Sequence, residues 1–305
     1  MSKVTKRSDL KSFIVIVANI AFVFAPIYLA ALSGLSPLLL VYWLWFGLSM
    51  QGLLNLLHET AHLHVFRARR ANEFLGRWVL GPLMFSDFDR YREIHWAHHR
   101  NIGQHGDPKY SYKIDIRGSR SLAFIFRSLV LIEAIRKLRY VHGDAKPKVK
   151  TNGGRSWIMR TTIVQSAFIG SLCLIPHGDL GHVLLGVVCA YGFVYFYGIL
   201  SLTVMAANLR AIAEHQLGDS QLEVAGVAAL RNLASTPVTW LIFGSYGFAE
   251  HAAHHRSPSI PYYLLRTEAL EMTGPSLGYF EVLSKIVGSR VDNQSIRPAR
   301  RMLMF

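Results

Sequence analysis

The stretch LLLVYWLWFGLSMQGLLNLLHETAHLH, residues 38–64, joins two patterns in one run. From Leu38 to Leu57 there is no charge, and about 20 such residues suffice to cross bilayer hydrocarbon as a helix. The next seven residues place His58 and His62 four positions apart around Glu59. If the helix continues, both imidazoles share one face and can grip a single metal ion. A span that runs straight into a metal grip raises two questions: which other segments cross the membrane, and where further ligands come from.

Outward from this stretch, Phe13 to Leu32 and Val183 to Ala207 are also free of charge and long enough to span. A fourth run, Thr161 to Pro176, reaches spanning length once Trp157 to Arg160 are added, with Arg160 snorkelling near its start. The spans are therefore expected at 13–32, 38–57, 157–176 and 183–207. Ser33 to Pro37 and His177 to His182 carry the turn signals that fold them into two helical hairpins. The hydrophobic share of 51% fits a polytopic membrane protein of all-α class, with residues 1–305 as a single domain and its core at about 40–265.

Neither short turn contains Lys or Arg. The 33 basic residues flank the other span ends, which by the positive-inside rule makes both termini and the stretch from His58 to Arg155 cytoplasmic. The net charge of +14 suits anionic headgroups, and no nucleic-acid module accompanies it. Lys3, Lys6, Arg7 and Lys11 ahead of an apolar run could also open a signal peptide, but the run is about twice the usual length and no small-x-small cleavage site follows, so the helix is expected to be retained. Ser121 to Tyr140 mixes apolar clusters with Arg127, Glu133, Arg136, Lys137 and Arg139, as an interfacial helix does. A further interfacial helix is expected after His215, and residues 238–249 are apolar but too short to span. Gly143 to Arg155 reads as an exposed loop and the tail after Gly288 as mobile. Cys173 and Cys189 fall inside spans and read as packing residues.

Fourteen histidines are present, and their spacing carries the information. HWAHH supplies His95, His98 and His99, HAAHH supplies His251, His254 and His255, and His215 follows Glu214. In a helix, positions i, i+3 and i+4 share a face, so each HxxHH cluster can aim three imidazoles at one place. With His58 and His62 these make nine imidazoles, too many for one tetrahedral zinc, so two metal ions are expected. Imidazole alone does not choose among iron, copper, nickel and zinc. His64, His105, His142, His177 and His182 stand apart as ordinary histidines. Glu59, Glu93, Asp107, Glu214 and Glu250 lie in or beside the clusters and are expected to orient imidazoles. Trp43, Trp45, Tyr191, Phe193, Tyr195 and Tyr197 are expected to pack or anchor at the interface, with the lining of an acyl tunnel as the other reading.

HETAHLH at 58–64, YREIHWAHHR at 91–100 with Gly106-Asp107-Pro108 after it, NLRAIAEH at 208–215 and EHAAHHRSPSIPYY at 250–263 resemble, in order and interval, the integral-membrane fatty acid desaturase and hydroxylase superfamily. The resemblance implies a non-haem di-iron site held by His58, His62, His95, His98, His99, His215, His251, His254 and His255. It places His64 outside the ligand set and makes Asn208 a candidate partner for a metal-bound water. It implies O2 as co-substrate and the introduction of a double bond into a fatty acyl or other lipid-like chain, with hydroxylation as the alternative outcome. Iron suits that task, since no side-chain acid or base removes hydrogen from an unactivated methylene. The chain has no GxGxxG fingerprint, no HPGG haem motif and no iron–sulfur cysteines, so electrons are expected from a separate ferredoxin or cytochrome b5 with its reductase.

Two other classes compete. A zinc metalloprotease would need only His58, His62, one more ligand and Glu59 as base, leaving both HxxHH clusters without a role. A metal transporter would set ionisable groups along its spans, and these spans are nearly free of them.

Overall fold

In the computed structural model the described residues are 8–104, 106–142, 154–175, 178–216, 222–224, 228–272 and 277–289. Among the described residues three helices are long and apolar enough to cross a membrane: α1 (Asp9–Ser33), α2 (Leu38–Ala61) and, further along the chain, α8 (Leu180–His215). The Ser8 hydroxyl accepts the Lys11 N–H at 3.3 Å to cap the start of α1. The helix ends at Gly34, whose φ of 56° lies in the left-handed region that glycine tolerates, and whose N–H closes on Ala30 O at 3.0 Å. The chain then turns into α2, and the first hairpin forms as expected.

Between α2 and α8 lie a helical stretch over residues 69–83 (α3), Phe88–Arg100 (α4), Arg120–Leu129 (α5), Ile132–His142 (α6) and Gly154–Cys173 (α7). The expected fourth span, 157–176, corresponds to α7, whose 20 residues are helical but are not among the three helices that meet the apolarity of a span. Arg160 and Gln165 account for the difference. Gln165 is buried, donates to Pro82 O at 2.8 Å and to Tyr195 Oη at 2.7 Å, and accepts from Tyr191 Oη at 2.9 Å. This network ties α7 to α3 and α8 from inside the bundle, while Ile158, Met159 and Ile163 face outward.

The interfacial segment 121–140 is two helices instead of one. Leu131, with φ of 64°, breaks α5 from α6, and Leu122, Ile125, Phe126, Ile135 and Leu138 are exposed along the pair. Where another helix was expected after His215, Leu222–Val224 (β1) pairs antiparallel with Ala228–Leu230 (β2), the one strand pairing of this kind among the described residues of an otherwise helical chain. Gly226 lies between the two strands in sequence and favours a turn over a continued helix. Residues 237–244 form a short helical turn with Trp240 exposed and Phe243 buried, as expected of a segment packed against the bundle. His251–Arg256 (α9), Leu265–Leu270 (α10) and Tyr279–Gly288 (α11) complete the chain. The expected loop over residues 143–153, the turn residues Pro176 and His177, and the tail from residue 290 lie outside the described residues.

The bundle presents apolar groups both inside and outside. Phe24, Phe46, Phe168 and Tyr195 interlock with ring centroids 5.1 to 6.3 Å apart. Phe13, Ile14, Val17, Leu40, Leu44, Leu184 and Val188 are exposed on the same helices, which water would penalise and lipid accepts. Gly47 lets α2 meet α8 closely, since a Cβ there would stand 2.5 Å from Leu202 Cβ. The span aromatics pack, as expected: Trp43 stacks on Tyr197 at 5.7 Å, and Tyr195 is fully buried. Cys173 is exposed and Cys189 buried, both as free thiols.

Helix length then decides where the site falls. At 1.5 Å per residue, the 24 residues of α2 and 36 of α8 reach about 36 and 54 Å, against about 30 Å of hydrocarbon. Both helices are longer than that layer is thick, and His58 and His215 lie at their ends.

Candidate metal centre

Four helical segments deliver the nine histidines to one place. The end of α2 brings His58 and His62, α4 brings His95, His98 and His99, the end of α8 brings His215, and α9 brings His251, His254 and His255. Asp87 caps α4, accepting the Asp89 and Arg90 N–H groups at 3.1 and 3.4 Å. A turn at Tyr246 and Gly247, both with positive φ, aims α9 at the cluster.

The imidazoles fall into sets whose ligand atoms lie within 4.8 Å of one another. His58, His62, His95, His99 and His254 form the first group; the second joins two sets that share His215, one with His98 and His255 and the other with His251 and Glu214. Within each group the rings meet through Nε2. His95 Nε2 stands 2.6 Å from that of His62 and 3.0 Å from that of His99, and His254 Nε2 is 3.2 Å from His99 Nε2. In the second group His251 Nε2 lies 2.7 Å from His215 Nε2 and 3.1 Å from His255 Nε2. The Nε2 atoms of His58 and His98 are buried with no hydrogen-bond partner.

Burial and mutual repulsion keep these rings neutral. Desolvation lowers the pKa of His98 to about 4, of His99 to about 3 and of His62 to about 2, and takes His95, His251, His254 and His255 well below the usual histidine value. Neutral imidazoles with converging lone pairs are the protonation state and arrangement that metal ions require. The donor set, nine nitrogens in two groups, fits two ions of the borderline class and fits one zinc poorly.

The rings are held from behind. Asp107 Oδ1 accepts from His98 Nδ1 at 2.8 Å, while its Oδ atoms also take the N–H groups of Gly103 at 2.9 Å and Lys109 at 3.0 Å. Burial opposes ionisation of Asp107, and those donors outweigh it, so its carboxyl sits below the ordinary value. Glu59 Oε1 lies 2.9 Å from His58 Nδ1 and its Oε2 lies 3.3 Å from His64 Nδ1. His64 thus braces the carboxylate, and its ring nitrogens fall in neither imidazole group. Both Glu59 oxygens are engaged with histidine rings, which leaves none directed as a protease base would be.

Of the other carboxylates expected to orient imidazoles, Glu93 has one oxygen buried without a partner, and Glu250 starts α9 without a hydrogen bond to an imidazole among the described residues. Their place beside histidines in sequence puts them on other faces of their helices. Glu214 approaches a different side of its histidine, considered below. Asn208 is buried with Nδ2 unpartnered. His182 is exposed and pairs with Asp179 at 2.8 Å, while His105, His177 and the His142 side chain lie outside the described residues.

Several neighbours were not evident from sequence. Tyr112 Oη lies 3.4 Å from His215 Nδ1, Trp96 packs 4.8 Å from the His62 ring, and Tyr91 stacks on His95 at 5.9 Å. Arg210 lies over the Phe248 ring at 4.1 Å and bonds Asn55 Oδ1, while Phe248 meets His58 at 4.6 Å. Arg210 had a legible signal, since it stands four residues before Glu214 on one helix. Tyr112, Trp96 and Phe248 arrive through tertiary contacts.

Apolar helices that end in two neutral imidazole clusters define an integral membrane protein with a histidine-built, metal-type centre. The family model for fatty acid desaturases matches residues 35–274, more than three quarters of the chain, and the chain belongs to that family. Its class is therefore the membrane oxidoreductases of the desaturase and hydroxylase superfamily. No curated protein and no solved structure matches the chain.

Proposed function

We propose that the protein is an O2-dependent di-iron oxidoreductase that introduces a double bond into a fatty acyl or similar lipid-like chain. The observation that carries this reading is the pair of buried imidazole groups at the ends of apolar helices, in a chain of the desaturase family. His58, His62, His95, His99 and His254 would hold one iron, and His98, His215, His251 and His255 the other. Bound there, the irons would supply the O2 chemistry that breaks an unactivated C–H bond. The chain's own part is to keep nine imidazoles neutral, to lock His98 through Asp107 and His58 through Glu59, and to exclude water with Phe248, Tyr91 and Trp96. Hydroxylation is the second reading, because one donor set can serve both outcomes and the position of the substrate carbon selects between them.

The whole chain acts as one domain. Its proposed topology has four spans, with α7 as the fourth, both termini and the site on the cytoplasmic side, and electrons from a separate ferredoxin or cytochrome b5 with its reductase. The distribution of basic residues and the absence of a nucleotide, haem or iron–sulfur motif support those assignments.

The test is expression in a host whose membrane lipids are then analysed, with metals counted on detergent-purified protein. Two irons per chain and new unsaturated acyl chains are expected, both lost in a His98→Ala, His254→Ala double variant. New hydroxylated chains would select the second reading. One zinc that survives the double substitution would overturn both.

A further inference from the structure

Glu59 and Asp107 meet their histidines at Nδ1, at 2.9 and 2.8 Å, behind rings whose Nε2 atoms are directed into the clusters. Glu214 comes from the other side. Its Oε2 lies 3.7 Å from His251 Nε2, the nitrogen that also stands 2.7 Å from His215 Nε2 and 3.1 Å from His255 Nε2. A carboxylate oxygen of Glu214 falls with His215 and His251 among ligand atoms that all lie within 4.8 Å of one another. It therefore occupies the face of the ring on which a metal would be bound.

Glu214 is also fully buried, and neither of its oxygens makes a well-formed hydrogen bond; the Tyr279 hydroxyl beside it donates to Phe248 O at 3.1 Å. Arg210 Nε pairs with Oε1 at 3.5 Å while the same guanidinium bonds Asn55 and lies over Phe248, which leaves Oε2 as the oxygen directed at His251. A desolvated carboxylate without well-formed hydrogen bonds is costly, and a cation within reach satisfies it.

We propose that Glu214 supplies a carboxylate oxygen to the metal held by His98, His215, His251 and His255. The inference rests on the two-metal reading above. The two metal positions then differ in kind, one with five imidazoles and no anion, the other with four imidazoles and an anionic oxygen. The added negative charge favours the higher oxidation state at the second position, so the two irons are distinguishable and are reduced unequally.

The test loads purified protein with 57Fe and reads iron per chain together with the Mössbauer spectrum. It compares the unaltered chain, Glu214→Gln, Glu214→Asp, and Glu214→Gln combined with Arg210→Gln. The unaltered chain should hold two irons with two unequal signals. Glu214→Gln should keep the five-imidazole signal, which also reports a folded site, and lose affinity at the other position by about tenfold or more. Glu214→Asp should recover part of the loss, and the double variant none of it. If Glu214→Gln costs both signals while Glu214→Asp keeps both, the carboxylate is again required and the assignment stands. Two irons with an unchanged spectrum in Glu214→Gln would overturn the assignment and leave the two-metal reading intact. So would recovery of the second iron in the double variant, which would make Glu214 a counter-charge to Arg210. Fewer than two irons in the unaltered chain would overturn the two-metal reading and this assignment with it.

Discussion

Among single residues, Asp107 has the clearest assigned task. It accepts from His98 Nδ1 and two backbone N–H groups, so its position is set and it sets the ring in turn. Removing such a partner from a metal-binding histidine typically costs about 10- to 100-fold in affinity or activity. Asp107→Ala should therefore lower iron affinity by that order, with Asp107→Asn recovering part of it, as read by metal titration of both variants. An affinity equal to that of the unaltered chain would remove Asp107 from this role. The same scale explains a miss of the sequence reading. Of five carboxylates near histidines in sequence, Glu59 and Asp107 reach an Nδ1, because side-chain direction is set by what each residue packs against and not by its distance along the chain.

At the level of elements, two backbone positions control how the helices meet. Gly247 precedes α9 with φ of 76°, and a Cβ there would lie 2.9 Å from Tyr262 Cβ. Gly247→Ala combines left-handed strain, about 1–3 kcal/mol, with a clash that pushes α9 away from the cluster. The expected result is loss of metal at both positions with the protein still inserted, checked by iron counting and by protease resistance of the spans. Gly47→Val should act on a different contact, forcing α2 from Leu202 on α8 and lowering thermal stability in detergent, since membrane helices associate largely through close packing. An unchanged melting temperature would show that the α2–α8 crossing tolerates widening.

For the whole molecule, metal and membrane are the two external partners on which the architecture depends. Neutral imidazoles crowded Nε2 to Nε2 form a strained cluster without a cation, so chelation should lower the melting temperature. Rebinding at about 100 times the dissociation constant should return about 2.7 kcal/mol. A scanning calorimetry trace indifferent to chelator would contradict this. The topology makes a separate prediction, tested after Cys173 and Cys189 are replaced by Ser. Cysteines introduced at Ser36 and Asp179 should react with an impermeant reagent from outside the cell, whereas those at Arg69 and Arg256 should react only after permeabilisation. Reaction of Arg69→Cys from outside would invert the proposed orientation.

By itself the sequence determined three segments apolar enough to enter a bilayer, and eight histidines at helical spacing with His215 standing alone at the end of the last of those segments. Both are local properties, uncharged length and the i, i+3, i+4 period, and both are written in consecutive residues. Tertiary structure decided what depends on contacts between distant segments. It gathered five imidazoles into one set and the other four into two sets that share His215, and it tied α7 into the bundle through Gln165 despite its weaker apolarity. It also turned Glu214 toward Nε2 of His251, 37 residues away in the chain. Side-chain direction at a helix end is set by what packs against it, and His251 reaches Glu214 because α9 folds back onto the end of α8.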